Sequence, residues 1–295
     1  MDIHPSRGVW AQVQTECHAR RRRMAHDPLA GFRVLGFDLE TTGLSSDRHR
    51  IIQYALVGSS EDGDSIYVEE LVDPQRRIPP DSTRVHGFTD AHVAGKPTFG
   101  EHIDRIDELI EGAVIVGHNV NRFDWPFMRD EYMRVGRMMP TPRAVIDTCV
   151  VAHRLKLPRR HTLTAMCARY GVELENAHTA GADAAATLLL LWRIIEEHPR
   201  QFRRPLEDIE EWLASGRIGE NSDLGPGYDD LEPFDANGRL RWSDQELVLA
   251  FGRHRGATLR TLELNDPSYL RWLLSGNGPL EQQDIQRLEQ ILESH

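Results

Sequence analysis

Apolar positions fall into two rhythms along this chain, and the change between them outlines the fold. From Phe32, the short run Arg33-Val34-Leu35-Gly36-Phe37 reads as a buried strand. Ile51 to Val57 and Ser65 to Glu69 follow, parted by the turn-rich Ser59-Ser60-Glu61-Asp62-Gly63-Asp64, and predict three antiparallel or mixed strands in succession. Phe99 to Ile110 then carries Ile103, Ile106, Leu109 and Ile110 at helical spacing, and Ala113 to Gly117 is another buried strand. Asn121 to Val135, Val145 to Leu155, Leu163 to Tyr170 and Ala180 to Ile195 read as helices, the last rich in Ala and Leu. Strand-helix alternation after a meander predicts an α/β domain, a mixed sheet covered by helices.

Helical periodicity fades after Trp212, and the expected organisation follows. A polar, Arg-rich N-terminal arm covers 1–30, the main domain 31–202, a linker 203–240 and a small C-terminal module 241–295. The linker centre, Gly216 through Asn237, collects glycines, two prolines and many acids. The module carries Phe251-Gly252-Arg253-His254-Arg255-Gly256, Tyr269 to Leu274, and a final amphipathic helix from about Leu280.

Composition adds bounds rather than a function. An apolar share of 40% and a charged share of 27% are those of an ordinary soluble protein. No run of about 18 apolar residues exists, so no membrane span is expected. Arg20 to Arg23 are not followed by an apolar stretch, which argues against a secretory signal. Three cysteines, Cys17, Cys149 and Cys167, form no CxxC pair; reduced thiols and a cytoplasmic location are expected, with no zinc site. The formal charge of −11 argues mildly against a nucleic-acid partner, although only the field at a binding groove decides that.

The candidate chemistry is acidic. Asp38 and Glu40 end the first buried strand, where residues two apart point to the same face and where open α/β sheets place ligands. Thr41-Thr42-Gly43 then turns the chain away; alone, the pair reads equally well as a solvated strand end. Gly117-His118-Asn119-Val120-Asn121-Arg122-Phe123-Asp124 follows a later strand, and Asp124 before Trp125-Pro126 also fits a helix N-cap. His178 and Asp183 are five residues apart, about 140° around a helix, so one helix face cannot present both. The economical arrangement puts His178 just before the helix and Asp183 inside it, among small residues that admit another backbone.

Asp-x-Glu-Thr-Thr-Gly on a first strand, Gly-His-Asn-x3-Phe-Asp after a later one, and His-x4-Asp opening an Ala-rich helix resemble, in order and separation, the three motifs of DEDDh 3′→5′ exonucleases. The resemblance spans Phe32 to Glu197 and includes Val85-His86-Gly87-Phe88-Thr89 before a helix and Asp147-Thr148 after Pro140. It implies a ribonuclease H-like fold. It also implies two divalent ions, Mg²⁺ or Mn²⁺, held by Asp38, Glu40, Asp124 and Asp183, with Asp38 shared between them and His178 as general base. The same resemblance implies nucleotide contacts from Thr41, Thr42 and Gly43 and an apolar wedge, Leu44. His118, Asn119 and Phe123 of the second motif join the candidate substrate contacts.

The expected function is removal of nucleotides from DNA 3′ ends, single-stranded DNA first. An exoribonuclease of the same chemistry and a catalytically silent nucleic-acid-binding module are the alternatives. A proofreading role beside a replication or repair polymerase is compatible with the same site. Arg154-Leu155-Lys156-Leu157-Pro158-Arg159-Arg160-His161 is either a phosphate contact or a solvated run, and Arg20 to Arg23 are a second basic handle. The C-terminal unit resembles a small module found after some exodeoxyribonuclease X-like enzymes. There Arg253, His254, Arg255 and Arg260 beside Tyr269 and Trp272 suit phosphate contact and base stacking, unless the two aromatics are core.

Overall fold

The computed structural model describes residues 27–174, 178–215, 231–243, 246–252, 254, 257–276 and 278–293, with 13 and 15. Along the chain lie β1 (Val34–Thr41), β2 (Ile51–Ser59), β3 (Ser65–Leu71), α1 (Pro80–His86), α2 (Asp90–Val93), α3 (Phe99–Ile110), β4 (Val114–Gly117), α4 (Asp124–Arg134), β5 (Ala144–Asp147), α5 (Thr148–Arg154), α6 (Leu163–Tyr170), α7 (Ala180–Glu197), α8 (Pro199–Phe202) and α9 (Leu206–Ser215). The sheet order is β3-β2-β1-β4-β5. The first three strands form the expected antiparallel meander, and β4 and β5 add in parallel on the other side of β1. It is the mixed, helix-flanked sheet of a ribonuclease H-like domain.

Strand alternation sorts β1. Leu35, Phe37 and Leu39 join one core with Phe99, Ile103 and Ile106 of α3 and Phe127 and Tyr132 of α4. Burying each such side chain contributes roughly 1.5–3 kcal/mol. Gly36, Asp38 and Glu40 face the other way, towards α7, whose residues are nearly all buried. A side chain at Gly36 would put Cβ 2.2 Å from the Ala184 carbonyl oxygen, so glycine lets helix and strand backbones touch. These are the flat surroundings expected around Asp183.

Register extends that face across the sheet. Asp38 lies opposite Ala55, which lies opposite Glu69; Glu40 lies opposite Gln53. The β1–β4 pairing stops at Gly36 and Val116, while β1 runs on beside β2 to Thr41. Beyond Gly36, β1 therefore has no β4 partner, and the C-terminal strand end is where such sheets take ligands.

Two readings of the sequence change. Val145 to Leu155 is not one helix: Ala144–Asp147 pairs with β4 as an edge strand, and helix begins at Thr148. A continuous apolar run does not distinguish a short buried strand from a helix turn. Asp147 ends the strand by accepting hydrogen bonds from the amides of Cys149 and Val150. In the segment expected as linker, 206–215 is helix α9, buried through Leu206, Ile209, Trp212 and Leu213.

From 231 the C-terminal unit has its own core. The hairpin β6 (Leu240–Ser243) and β7 (Glu246–Leu249) packs with α10 (Leu259–Asn265), α11 (Pro267–Leu273) and α12 (Gln282–Glu293) around Leu240, Leu249, Leu262, Leu273 and Leu288. No helix among the described residues is long and apolar enough to cross a membrane. Cys167 is buried and its thiol is pushed up to about 12 by that burial, so it is no nucleophile. Cys17 and Arg20 to Arg23 lie outside the described residues.

Candidate active site

Three stretches of chain bring carboxylates to the tip of β1. Ligand atoms of Glu40, His178 and Asp183 all lie within 4.8 Å of one another. Asp124 and Asp38 share their field. The Asp38 carboxyl is raised well above its ordinary range, first by burial, then by Asp124, Asp183 and Glu40. Glu40 is pushed to about 8 by burial, then by Asp183 and Asp124. Burial lifts Asp124 to about 8 against the pull of its own and Leu39 amides, with Asp147 adding to the rise. Asp183 rises to about 6 by burial, opposed by its hydrogen bond from His178 and by that imidazole.

Four buried acids this close repel one another unless a cation offsets their charge. Oδ1 of Asp124 and Oδ1 of Asp183 are buried and find no hydrogen-bond partner among the described residues. Buried polar atoms are rarely left so without a function. Hard oxygen donors fit Mg²⁺ or Mn²⁺, so the residues present fit the implied ions.

Local structure explains how each side chain arrives. The cap position of α4 is Phe123, and Asp124 is the first helical residue, so capping does not account for its carboxylate. Asp183 sits in the first turn of α7, its amide bonded to the Thr179 carbonyl. His178 stands two residues before α7, exposed, with φ 74°. For a non-glycine residue that left-handed conformation costs about 1 kcal/mol. The His178 amide donates to Asp183 Oδ2 at 3.2 Å, which holds the turn.

The expected substrate contacts divide. Thr41 and Thr42 are buried, and the Thr42 hydroxyl lies 3.2 Å from His49 Nδ1 and accepts from the Arg50 amide at 3.0 Å. Gly43 leaves room for that imidazole, because a Cβ there would fall 2.4 Å from the ring. Leu44 is 88% exposed, an apolar side chain that none of the described residues covers. Phe123 is half-buried on Phe127, and Asn119 is exposed with φ 62°. His118 is committed internally, Nδ1 2.8 Å from the Thr148 hydroxyl and Nε2 2.8 Å from the His161 carbonyl.

Asp147 and His86 stand in segments that carry the resemblance, yet the sequence alone gives neither a role, and it gives none to Gln53. Asp147 accepts from the amides of Asn119 and Asn121 as well as from α5, and so fixes the loop that leads to Asp124. Buried His86 accepts from the Phe88 amide; burial lowers its pKa, the Thr41 backbone opposes this and His178 adds to it. Gln53 interrupts an otherwise apolar run, the kind of break that marks a buried polar contact.

The basic readings narrow. Arg154 spends its guanidinium on the Leu213 and Ala214 carbonyls at the end of α9, while Arg159 and Arg160 are exposed. In the C-terminal unit Tyr269 packs partly into the core, Trp272 is 41% exposed and Arg260 is exposed. Arg253 and Arg255 lie outside the described residues.

Known proteins are similar to this chain in sequence and fold. The exonuclease family RNase_T matches residues 35–191. DNA polymerase III subunit epsilon of Treponema pallidum (strain Nichols) is 32% identical over 168 residues, 56% of this chain and 77% of that protein. The PolC-type DNA polymerase III of Streptococcus thermophilus is 36% identical over 163 residues, 55% of this chain but 11% of that protein. E. coli Exonuclease I in complex with a dA16 oligonucleotide superposes with a TM-score of 0.51 at 22% identity, over 57% of this chain and 42% of that chain, which shows a shared fold.

Proposed function

Because this chain belongs to the RNase_T exonuclease family, we propose that it removes nucleotides one at a time from the 3′ end of DNA, preferring single strands. The convergence of Asp38, Glu40, Asp124 and Asp183 beside His178 is the observation that carries the reading. The four carboxylates would hold two ions, Mg²⁺ or Mn²⁺. Bound there, such ions supply Lewis acidity to the scissile phosphate and offset charge on the leaving oxygen.

The chain's own residues do the rest. His178, exposed at the mouth of the site, takes the proton of the attacking water. The water oxygen bonds to phosphorus, the bond to the preceding 3′ oxygen breaks, that oxygen takes a proton from solvent, and a nucleoside 5′-monophosphate leaves. The turn Thr41-Thr42-Gly43, anchored by Arg50 and His49, offers backbone groups to the terminal nucleotide, and Leu44 wedges against its base. Asn119 and Phe123 line the approach from the second motif. A DNA polymerase is the protein partner consistent with the names of the relatives; a repair setting and a cytoplasmic location belong to this proposal alone.

The test is a digest of 5′-labelled single-stranded DNA and RNA, with and without Mg²⁺, beside 3′-blocked controls. A ladder of label-retaining DNA products that needs both Mg²⁺ and a free 3′ end is expected. Products shortened from the 5′ end, or unchanged in chelator, would refute the reading; equal shortening of RNA would refute the DNA preference.

A further inference from the structure

Three side chains outside the catalytic set grip the start of α7. By strand alternation and register, Tyr67, Glu69 and Gln53 share the sheet face that carries Asp38 and Glu40. Gln53 Oε1 accepts from the Ala180 amide at 3.0 Å, and Glu69 Oε1 accepts from the Gly181 amide at 3.0 Å. Gln53 Nε2 donates to the same Glu69 oxygen at 3.1 Å, and the Tyr67 hydroxyl donates to Glu69 Oε2 at 2.6 Å. Two of the amides that every helix leaves unsatisfied at its N-terminus are thus bound by β2 and β3. The negative charge of Glu69 also complements the helix dipole.

The grip demands its own sequence. A Cβ at Gly181 would lie 2.4 Å from the Tyr67 oxygen and 2.6 Å from the Glu69 carboxyl carbon, so only glycine lets the helix turn come this close. Gln53 is 3% exposed, and a buried amide of this kind is tolerated because both its ends are bonded. The oxygens of Glu69 already accept three hydrogen bonds, which separates it from the acids with orphaned oxygens.

The clamp lies between the residues that must meet. Ala180 and Gly181 stand between His178 and Asp183, while Gln53 is the register partner of Glu40. We propose that Gln53, Glu69 and Tyr67 are positioning residues that set α7 on the sheet, and with it the separation of His178 and Asp183 from Asp38 and Glu40. The proposal rests on the reading of those residues as the hydrolytic site. Groups that orient a metal's ligands typically change ion affinity or activity by about 10–100-fold when removed.

The experiment compares Glu69→Ala, Glu69→Gln and Tyr67→Phe with the unaltered chain by Mn²⁺ titration and by single-turnover cleavage of a DNA oligomer. Glu69→Ala is expected to lose about 10-fold or more in both Mn²⁺ affinity and cleavage rate, with oligomer affinity held within about 3-fold. Glu69→Gln keeps an oxygen for the Gly181 amide and is expected to recover most of both. Tyr67→Phe keeps the ring, tests the clamp should Glu69→Ala not fold, and is expected to lose a few-fold in rate. Unaltered Mn²⁺ affinity and rate in Glu69→Ala, or in Tyr67→Phe where Glu69→Ala does not fold, overturns the proposal. So does a loss in Glu69→Gln equal to that in Glu69→Ala. An unaltered chain that binds Mn²⁺ but cleaves nothing sinks the exonuclease reading instead, and the Mn²⁺ arm still decides the clamp.

Discussion

The backbone amide of His178 donates to Oδ2 of Asp183 across 3.2 Å, so the candidate base and a candidate ligand are joined through main chain rather than side chain. Removing the imidazole leaves that bond in place. His178→Ala should therefore fold and bind Mn²⁺ like the unaltered protein while cleavage falls by about 10²–10⁴-fold. Rates measured at saturating Mn²⁺ check this; a rate within a few-fold of normal would remove His178 from the base role.

Asp38 is raised by burial and then by three other carboxylates, so it is a burden on the ion-free fold. Asp38→Asn should raise the melting temperature in chelator, by about 2–4 °C for each kcal/mol of repulsion relieved. The same change should abolish most of the melting shift produced by Mg²⁺. Differential scanning fluorimetry with and without Mg²⁺ reads both effects, and an unchanged Mg²⁺ shift would count against Asp38 as a ligand.

The pH dependence has a definite sign. Folding raises Glu40 and Asp124 to about 8 and Asp183 to about 6, so the folded state favours their protonated forms. The associated stability is complete below about pH 4, where the unfolded carboxyls also hold protons, and is lost as pH climbs towards 8. Melts in chelator should fall in temperature from pH 5 to 8, and saturating Mn²⁺ should flatten the fall. A flat ion-free profile would contradict the crowding of these acids.

Glu131, in α4, is 1% exposed and grips Arg50 through two bonds of 2.6 and 2.8 Å. Arg50 in turn holds the Thr42 hydroxyl through its amide. Glu131→Ala strands a half-buried guanidinium and should destabilise the domain by about 3–5 kcal/mol. Urea unfolding measures this; a loss below about 1 kcal/mol would mean that Arg50 finds water instead.

Much of this was legible in the sequence for geometric reasons. Asp38 and Glu40 share a face because strands repeat every two residues, and the 140° between His178 and Asp183 forces one of them off the helix. Other parts depend on distant partners. Val145 and Ile146 look the same in a strand as in a helix until β4 is placed beside them. His118 stands in a motif with the right spelling, yet its ring is filled by Thr148 and His161, which spacing along the chain does not disclose. The clamp on α7 joins residues more than a hundred positions apart, and only register reveals it.

On the proposed reading, four carboxylates from three stretches of chain would enclose a shared pair of ions. Mn²⁺ binding followed by electron paramagnetic resonance, with a nucleoside monophosphate present, tests it most directly. Two tight sites per chain, reduced to one or none in Asp38→Asn, is the predicted result. No saturable binding, or the same number of sites in Asp38→Asn, would contradict it.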